Sequence, residues 1–270
     1  MKLGEIGTKV RDSIVGTVKG AGTVADTTAN EIKDATVSVV KGAGGIIHGG
    51  TDAIGDVVSG ALSAVDQIGE GILKVAKGVV LGVVSTVGEV ATVTAGTISD
   101  IVRAAIKGTA EIGGDFTHAA SGTAQGVMGG AKDVGMSATD AAFSLAKAVV
   151  TGTTEVGGDL IGAVTGTVQG AVKGASDTGG DVLGAISNTA RGAVRGVGEV
   201  GGDIAEVTRT TISAAIGAAK EVGLGVEDAA SAAATGALEA AGNIGESAVS
   251  AVTGVIGTTV DGVKVVVKGE

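Results

Sequence analysis

Few residues of this chain have the types and spacing that catalysis or metal binding requires. Its two histidines, His48 and His118, have no cysteine near them and no second histidine four residues away, the spacing that favours a shared metal ion. Carboxylates such as Asp177 and Asp181 could bind divalent cations, but no EF-hand-like loop accompanies them, and acidic residues recur along the whole chain. We therefore expect a solvated acidic face, no catalytic or metal site, no cofactor, no small-molecule substrate and no enzymatic activity.

Two further patterns are predicted to be structural. The fragment GVGEVGG at 196–202 has glycine spacing like that of phosphate-binding loops, but no strand pattern precedes it, and 51 glycines make chance matches expected. Lys173 with Asp177, and Arg195 with Glu199, are spaced for ion pairs along a helix, each contributing roughly 0.2–0.5 kcal/mol. The net charge of -10 and the dispersed lysines and arginines predict no nucleic-acid partner.

The elements that carry these residues repeat every 22 residues. Twelve consecutive blocks run from Leu3 to Val266 without an insertion, which predicts a single repetitive region over 1–270. Each block divides into two eleven-residue halves, and eleven residues correspond to three turns of about 3.67 residues, close to the α-helix. The sequence therefore predicts an all-α chain whose apolar positions form one continuous arc.

One position of every block is aliphatic, and we expect this apolar column to mediate self-association. A helix with so wide an apolar arc needs at least two neighbours, because exposing it would leave a patch along the whole chain. The column consists of Val18, Val40, Leu62, Val84, Ile106, Met128, Val150, Val172, Val194, Ile216, Leu238 and Val260.

Glycine also follows the repeat, which predicts close packing between helices. Each glycine inside a helix costs about 1 kcal/mol relative to alanine, so close contact with a partner must compensate. Small residues four apart let two helix backbones approach and form Cα–H···O contacts. The predicted close-packing glycines are Gly20, Gly42, Gly108, Gly130, Gly152, Gly174, Gly196 and Gly262.

The glycine doublets bear on whether the predicted helix is continuous. Gly157-Gly158 followed by Asp159 is typical of a helix C-cap and the next N-cap, but equal block lengths favour one very long helix or a few long helices. Hairpins are then expected near 44–50 and at 129–130. The alternative is a β-solenoid with one coil per block, although apolar residues spaced by four, as at Val164 and Val168, favour helix.

The period resembles that of hendecad right-handed coiled coils and of the lipid-surface helices of synucleins and exchangeable apolipoproteins, which VVKGAGGIIHGG at 39–50 also resembles. The resemblance covers nearly the whole chain but transfers no functional residue, and this chain has more glycine and no basic face. It implies helices packed side by side in a homo-oligomer. We expect a structural protein that assembles with itself into a filament, tube or fibre and encloses or contacts lipid, or alternatively a peripheral coat on a lipid, membrane or granule surface.

The sequence leaves the compartment open. No Sec-type signal is evident at the N-terminus, because MKLGEIGTKVRDS lacks an apolar core of sufficient length. No stretch reaches 18 uncharged apolar residues, so no membrane-spanning segment is expected. Either a cytoplasmic location or export by a non-classical route, including as an extracellular filament, is compatible with these features.

Overall fold

The computed structural model describes residues 4–21, 28–43, 45–68 and 71–267. Within them the chain forms a succession of α-helices followed by a small β-hairpin. The elements are α1 (Glu5–Ala21), α2 (Ala29–Ala43), α3 (Gly45–Ile68), α4 (Ile72–Val90), α5 (Ala95–Glu111), α6 (Phe116–Asp133), α7 (Ala138–Glu155), α8 (Leu160–Thr178), α9 (Val182–Val200), α10 (Ile204–Val222), α11 (Val226–Ile244), α12 (Glu246–Val255), β1 (Thr259–Val260) and β2 (Val263–Lys264).

The GGD steps end one helix and begin the next. After α8, Gly179 adopts φ +67, and the N–H of Gly180 donates to the carbonyl of Ala175 at 2.8 Å, which closes the helix end. Asp181 then accepts from the N–H of Gly184 at 2.9 Å and caps α9. The prediction of a very long continuous helix is therefore wrong, because glycine is the residue that takes a positive φ without strain.

Of the other predicted interruptions, the one near 44–50 coincides at its start with the end of α2 at Ala43 and the beginning of α3 at Gly45, with Gly44 outside the described residues. The one at 129–130 is wrong, because Gly129 and Gly130 lie inside α6, and the alternative fold is wrong as well. The only strands among the described residues are β1 and β2, which pair antiparallel through Thr259 with Lys264 and Val260 with Val263. No β-solenoid is formed there.

The helices form two layers. Short connections make consecutive helices antiparallel, and each helix packs against its sequence neighbours and, more extensively in most cases, against the helices two before and two after it. Odd-numbered helices thus form one layer of parallel helices, which we call the odd layer, and even-numbered helices form the even layer. The prediction of helices packed side by side is confirmed, within one chain.

The core lies between these layers and is built from small aliphatic side chains. Leu145, Ile186 and Ile212 are fully buried, and alanines fill much of the remaining space. Several buried threonines satisfy their hydroxyls locally, as Thr167 does by donating to the carbonyl of Ala163 at 2.7 Å. The hydroxyls of Thr123, Thr153, Thr189 and Thr208 are buried without a hydrogen-bond partner among the described residues. The thin core needs no aromatic residue, because the helices approach closely.

The β-hairpin follows α12 and packs against both α10 and α11. Asp261 and Gly262 have φ of 49° and 80°, the left-handed conformation that a two-residue hairpin turn requires. Val263 and Val265 join a buried cluster that contains Ala233 and Ala234 of α11. On its other side the hairpin lies beside α10, where the hydroxyl of Ser213 donates to the carboxylate of Asp261.

Candidate functional site

The closest contacts between helices are made by glycine against backbone. A Cβ built on Gly166 of α8 would overlap the carbonyl oxygen of Thr117 in α6, and one on Gly126 would lie 2.7 Å from the carbonyl oxygen of Lys77 in α4. In each case the carbonyl belongs to the residue 49 positions earlier. We call such a line of contacts between helices of one layer a glycine seam.

The 49-residue offset recurs along both layers. It corresponds to two blocks of 22 residues plus five, so each helix is displaced by more than one turn relative to the helix two before it. Only glycine permits backbones to meet in this way, with Cα–H groups directed at carbonyl oxygens. Further examples are Gly78 with Ala29, Gly122 with Leu73, Gly170 with Ser121, Gly192 with Phe143 and Gly236 with Ser187.

Five of the eight predicted close-packing glycines contact the helix two before them. The nearest atoms to their added Cβ positions lie at 2.6–3.6 Å, and the five are Gly108, Gly130, Gly152, Gly174 and Gly196. Gly20 and Gly42 have no described atom within 4 Å, and Gly262 is wrong as a helical contact because it lies in the hairpin turn. The tightest contacts belong to glycines four and eight residues earlier, such as Gly170 and Gly166, whose four-residue spacing is visible in the sequence.

The apolar column is buried inside the chain. Eleven of its twelve members are at most 6% exposed, and Leu238 is half-buried. The prediction placed these side chains between copies of the chain, whereas in the structure they pack between helices of the same chain. The apolar column is therefore not free to contact another copy of the chain.

Ion pairs cross the outer surface of each layer. Acidic residues near helix ends pair with bases on the helix two before, as Glu89 does with Lys41 at 2.8 Å and Glu155 with Arg103 at 3.4 Å. Asp177 of α8 lies 3.8 Å from Lys77 of α4, the helix four before it, although the sequence suggested Lys173 as its partner. These exposed pairs stabilise by at most about 1 kcal/mol each.

Glu199 occupies the most connected position of this charge pattern. Its carboxylate lies 2.9 Å from Lys147 Nζ and 3.1 Å from Arg195 Nε, which confirms the predicted pair with Arg195. Burial alone would raise the pKa of Glu199, but the hydrogen bonds and charges of Lys147 and Arg195 outweigh it, so the pKa is lowered.

The glycine seams are incomplete at both ends of the stack. Gly16 and Gly20 of α1 and Gly42 of α2 are exposed, with no described atom within 4 Å of an added Cβ. At the other end, Thr253 of α12 is exposed and Val249 is half-buried. Both line an open groove of about 620 Å³ together with Gly242, Gly245, Glu246, Ser250 and Gly254.

The histidines are not brought together into a metal site. His118 lies 3.1 Å from Asp115, whose carboxylate also caps α6, and backbone donation from His118 is the main cause of the lowered pKa of Asp115. The side chain of His48 is outside the described residues. Among the described residues, no three histidine, cysteine, aspartate or glutamate side chains cluster in a way that could hold a metal ion. No described helix is both long enough and apolar enough to cross a membrane.

Stacked antiparallel helices with short connections define the class of this protein as an α-helical repeat protein. No family model and no curated protein sequence matches the chain. Among solved structures, the chain is similar to the crystal structure of the de novo designed helical repeat protein DHR7. The two share 22% identity over 60% of this chain and 94% of that chain, with a TM-score of 0.41.

Proposed function

We propose that this chain is a structural protein whose copies associate end to end into a filament or fibre. The observation that carries the proposal is the unfinished glycine seam of α1 and α2. In the part of the chain that the structure describes, every other helix with glycines in this position covers them with the helix two before it, whereas Gly16, Gly20 and Gly42 have no described atom within 4 Å of an added Cβ. A second copy can supply the missing helix face.

The register of the repeat identifies the complementary surface on that copy. If the 22-residue frame continues from one copy into the next, the 49-residue offset brings Ser38 of α2 against Thr253 of the preceding copy's α12. Both side chains are small and exposed. The even layers would therefore continue from copy to copy.

The odd layers are less free to continue in this way. By the same offset, α1 of the next copy would meet Ser231 and Thr235 of α11, and Ser231 is already buried within the single chain. An interface limited to one layer buries roughly half of the possible area, and small interfaces of this kind give weak association. We therefore expect assembly that depends steeply on protein concentration.

A leucine at position 42 tests the proposal. Gly42→Leu fills open space in the isolated chain, so the fold should persist, but the new side chain should prevent α2 from approaching a second copy. Sedimentation velocity over a wide concentration range should show assembly for the unmodified chain and none for the variant. Gly217→Leu is the matched control, because Gly217 is exposed, has no described atom within 4 Å of an added Cβ and lies on α10, outside the open seam, in a groove beside the hairpin.

Two results would count against the proposal. One is a chain that stays monomeric at all accessible concentrations, with no filaments in electron micrographs. The other is equal loss of assembly in the Gly42→Leu and Gly217→Leu variants, which would place the contact outside the open seam.

Lipid contact belongs to the proposal only as a secondary property. The apolar column is buried, and the large apolar side chains that stay exposed lie singly at helix ends or in the C-terminal tail: Val90, Val156, Leu183, Ile244 and Val266. A surface coat built on the apolar arc would require the layers to separate. If the layers separate on a lipid surface, adding vesicles should broaden the thermal unfolding transition and change the helix content. If the stack stays intact, adding vesicles should change neither.

A further inference from the structure

A groove on the outer surface of the odd layer departs from the repeat. It lies across α7, α9 and α11 with a volume of about 540 Å³, and it is lined by Phe143, Lys147, Arg191, Arg195, Ala240 and Asn243. We propose that this groove binds a phosphate group.

Arg191 is held in place with donor capacity to spare. Its guanidinium lies over the Phe143 ring at 4.8 Å, a cation–π arrangement that fixes the plane of the group. Its Nε atom is buried and has no hydrogen-bond partner among the described residues. Its Nη1 is 3.8 Å from Glu239, too far for a hydrogen bond. The guanidinium is therefore held by the ring without a described hydrogen-bond partner, and its side chain is 37% exposed, so an oxyanion in the groove can accept from its terminal N–H groups rather than from the buried Nε.

The charge around the groove favours an anion. Lys147 and Arg195 share the carboxylate of Glu199, and Glu239 is the nearest acid to Arg191. Three cationic groups therefore face two carboxylates, which leaves a local positive excess in a chain whose net charge is -10. Phosphate suits such a site, because its several oxygens can accept from the planar guanidinium and from Lys147 at the same time.

The corresponding place elsewhere in the odd layer lacks these features. Arg103 of α5 stands at the same block position as Arg191, but the residue 48 positions before it is Gly55 and no ring lies there. Arg103 instead bonds to Thr151 at 3.4 Å and pairs with Glu155 at 3.4 Å. The pairing of Phe143 with Arg191 is therefore a local feature, and Arg103 offers a matched control.

Isothermal titration calorimetry of the full chain can test the site. The probes are inorganic phosphate, glycerol 3-phosphate and vesicles containing phosphatidate, with sodium chloride at matched ionic strength as the reference. We expect saturable binding of at least one phosphate probe. Arg191→Gln should weaken it by about tenfold or more, since charge-assisted hydrogen bonds are lost, whereas Arg103→Gln should change it by less than about twofold.

Phe143→Leu provides a second variant that keeps the groove apolar while removing the ring. It should weaken binding by several-fold, and circular dichroism will show whether each variant keeps its helix content. Binding of the soluble probes would indicate a small phosphorylated ligand, whereas binding of vesicles alone would indicate a lipid headgroup. Either result supports the phosphate site if the Arg191→Gln variant loses that binding. The proposal is overturned if no probe binds more tightly than chloride, or if Arg191→Gln and Arg103→Gln respond equally.

Discussion

Replacing Gly166 with alanine should destabilise the chain, although alanine is the better helix former. Gly166 lies in the middle of α8, away from both caps. An added Cβ would overlap the carbonyl oxygen of Thr117 and lie 3.1 Å from its Cα atom. Both atoms belong to the backbone of α6, so no rotamer change can relieve the overlap. The two helices must move apart.

The magnitude follows from two opposing terms. Helix propensity favours alanine by about 1 kcal/mol. Overpacking costs roughly 1–3 kcal/mol and more where backbone must shift, and separation of α6 from α8 would also loosen the contacts of Gly170 and Gly174. We expect a net loss of about 2 kcal/mol in the free energy of unfolding. Gly217→Ala, at an exposed glycine with open space, should instead gain up to about 1 kcal/mol.

Urea unfolding followed by far-ultraviolet circular dichroism measures the difference. Repeat proteins can unfold in more than one step, so amide hydrogen exchange should confirm that the loss is concentrated in α6 and α8. Low protein concentration keeps end-to-end association out of the comparison. If Gly166→Ala proves as stable as Gly217→Ala, the glycine seam is not a close backbone contact and the explanation of the glycine repeat fails.

Two further predictions concern the caps and the acid limit of stability. Asp159→Ala should lower the free energy of unfolding by about 1 kcal/mol, because the side chain caps α8, whereas Ser137→Ala should have a smaller effect, because Ser137 makes no side-chain cap bond; urea midpoints compare the two. Asp115 and Glu199 have pKa values below their ordinary 3.8 and 4.5, so their stabilisation is complete above about pH 5 and is lost as pH falls through the lowered values. Unfolding midpoints measured down the acid range should fall less steeply in Glu199→Gln than in the unmodified chain.

Helix could be predicted from the sequence because four-residue spacing is a local property. Val164, Val168 and Val172 lie on one side of α8 and are buried there, as their spacing indicates. The breaks could not be placed by the same reasoning. A helix of 19 residues and a turn of three, as in α8 with 179–181, together fill one block, so the turn repeats with the helix and leaves block length constant.

The surface against which each helix face packs depends on where the turns lie, so the repeat pattern alone could not predict it. A continuous helix can bury its apolar arc only against another copy, whereas a helix that reverses at Gly179 buries it against its own chain. The same reversal sets the offset that brings Gly166 to Thr117 and Arg191 to Phe143. Neither pair has a signal in local spacing, because nearly fifty residues separate its members.

Glycine has opposite energetic effects at the two kinds of position it occupies. At Gly179 and Gly201 it adopts a positive φ that other residues take only with strain, so it stabilises the turn. Inside α8, glycines at 162, 166, 170 and 174 would make an isolated helix of 19 residues unstable. Such a helix owes its stability to its neighbours, and α8 has a same-layer neighbour on each side, α6 and α10.

Helix α2 has only α4 on its own layer among the described residues, so a second copy docked on its open seam would stabilise it most. In the proposed assembly, ordering of the stack ends would be coupled to end-to-end association for this reason.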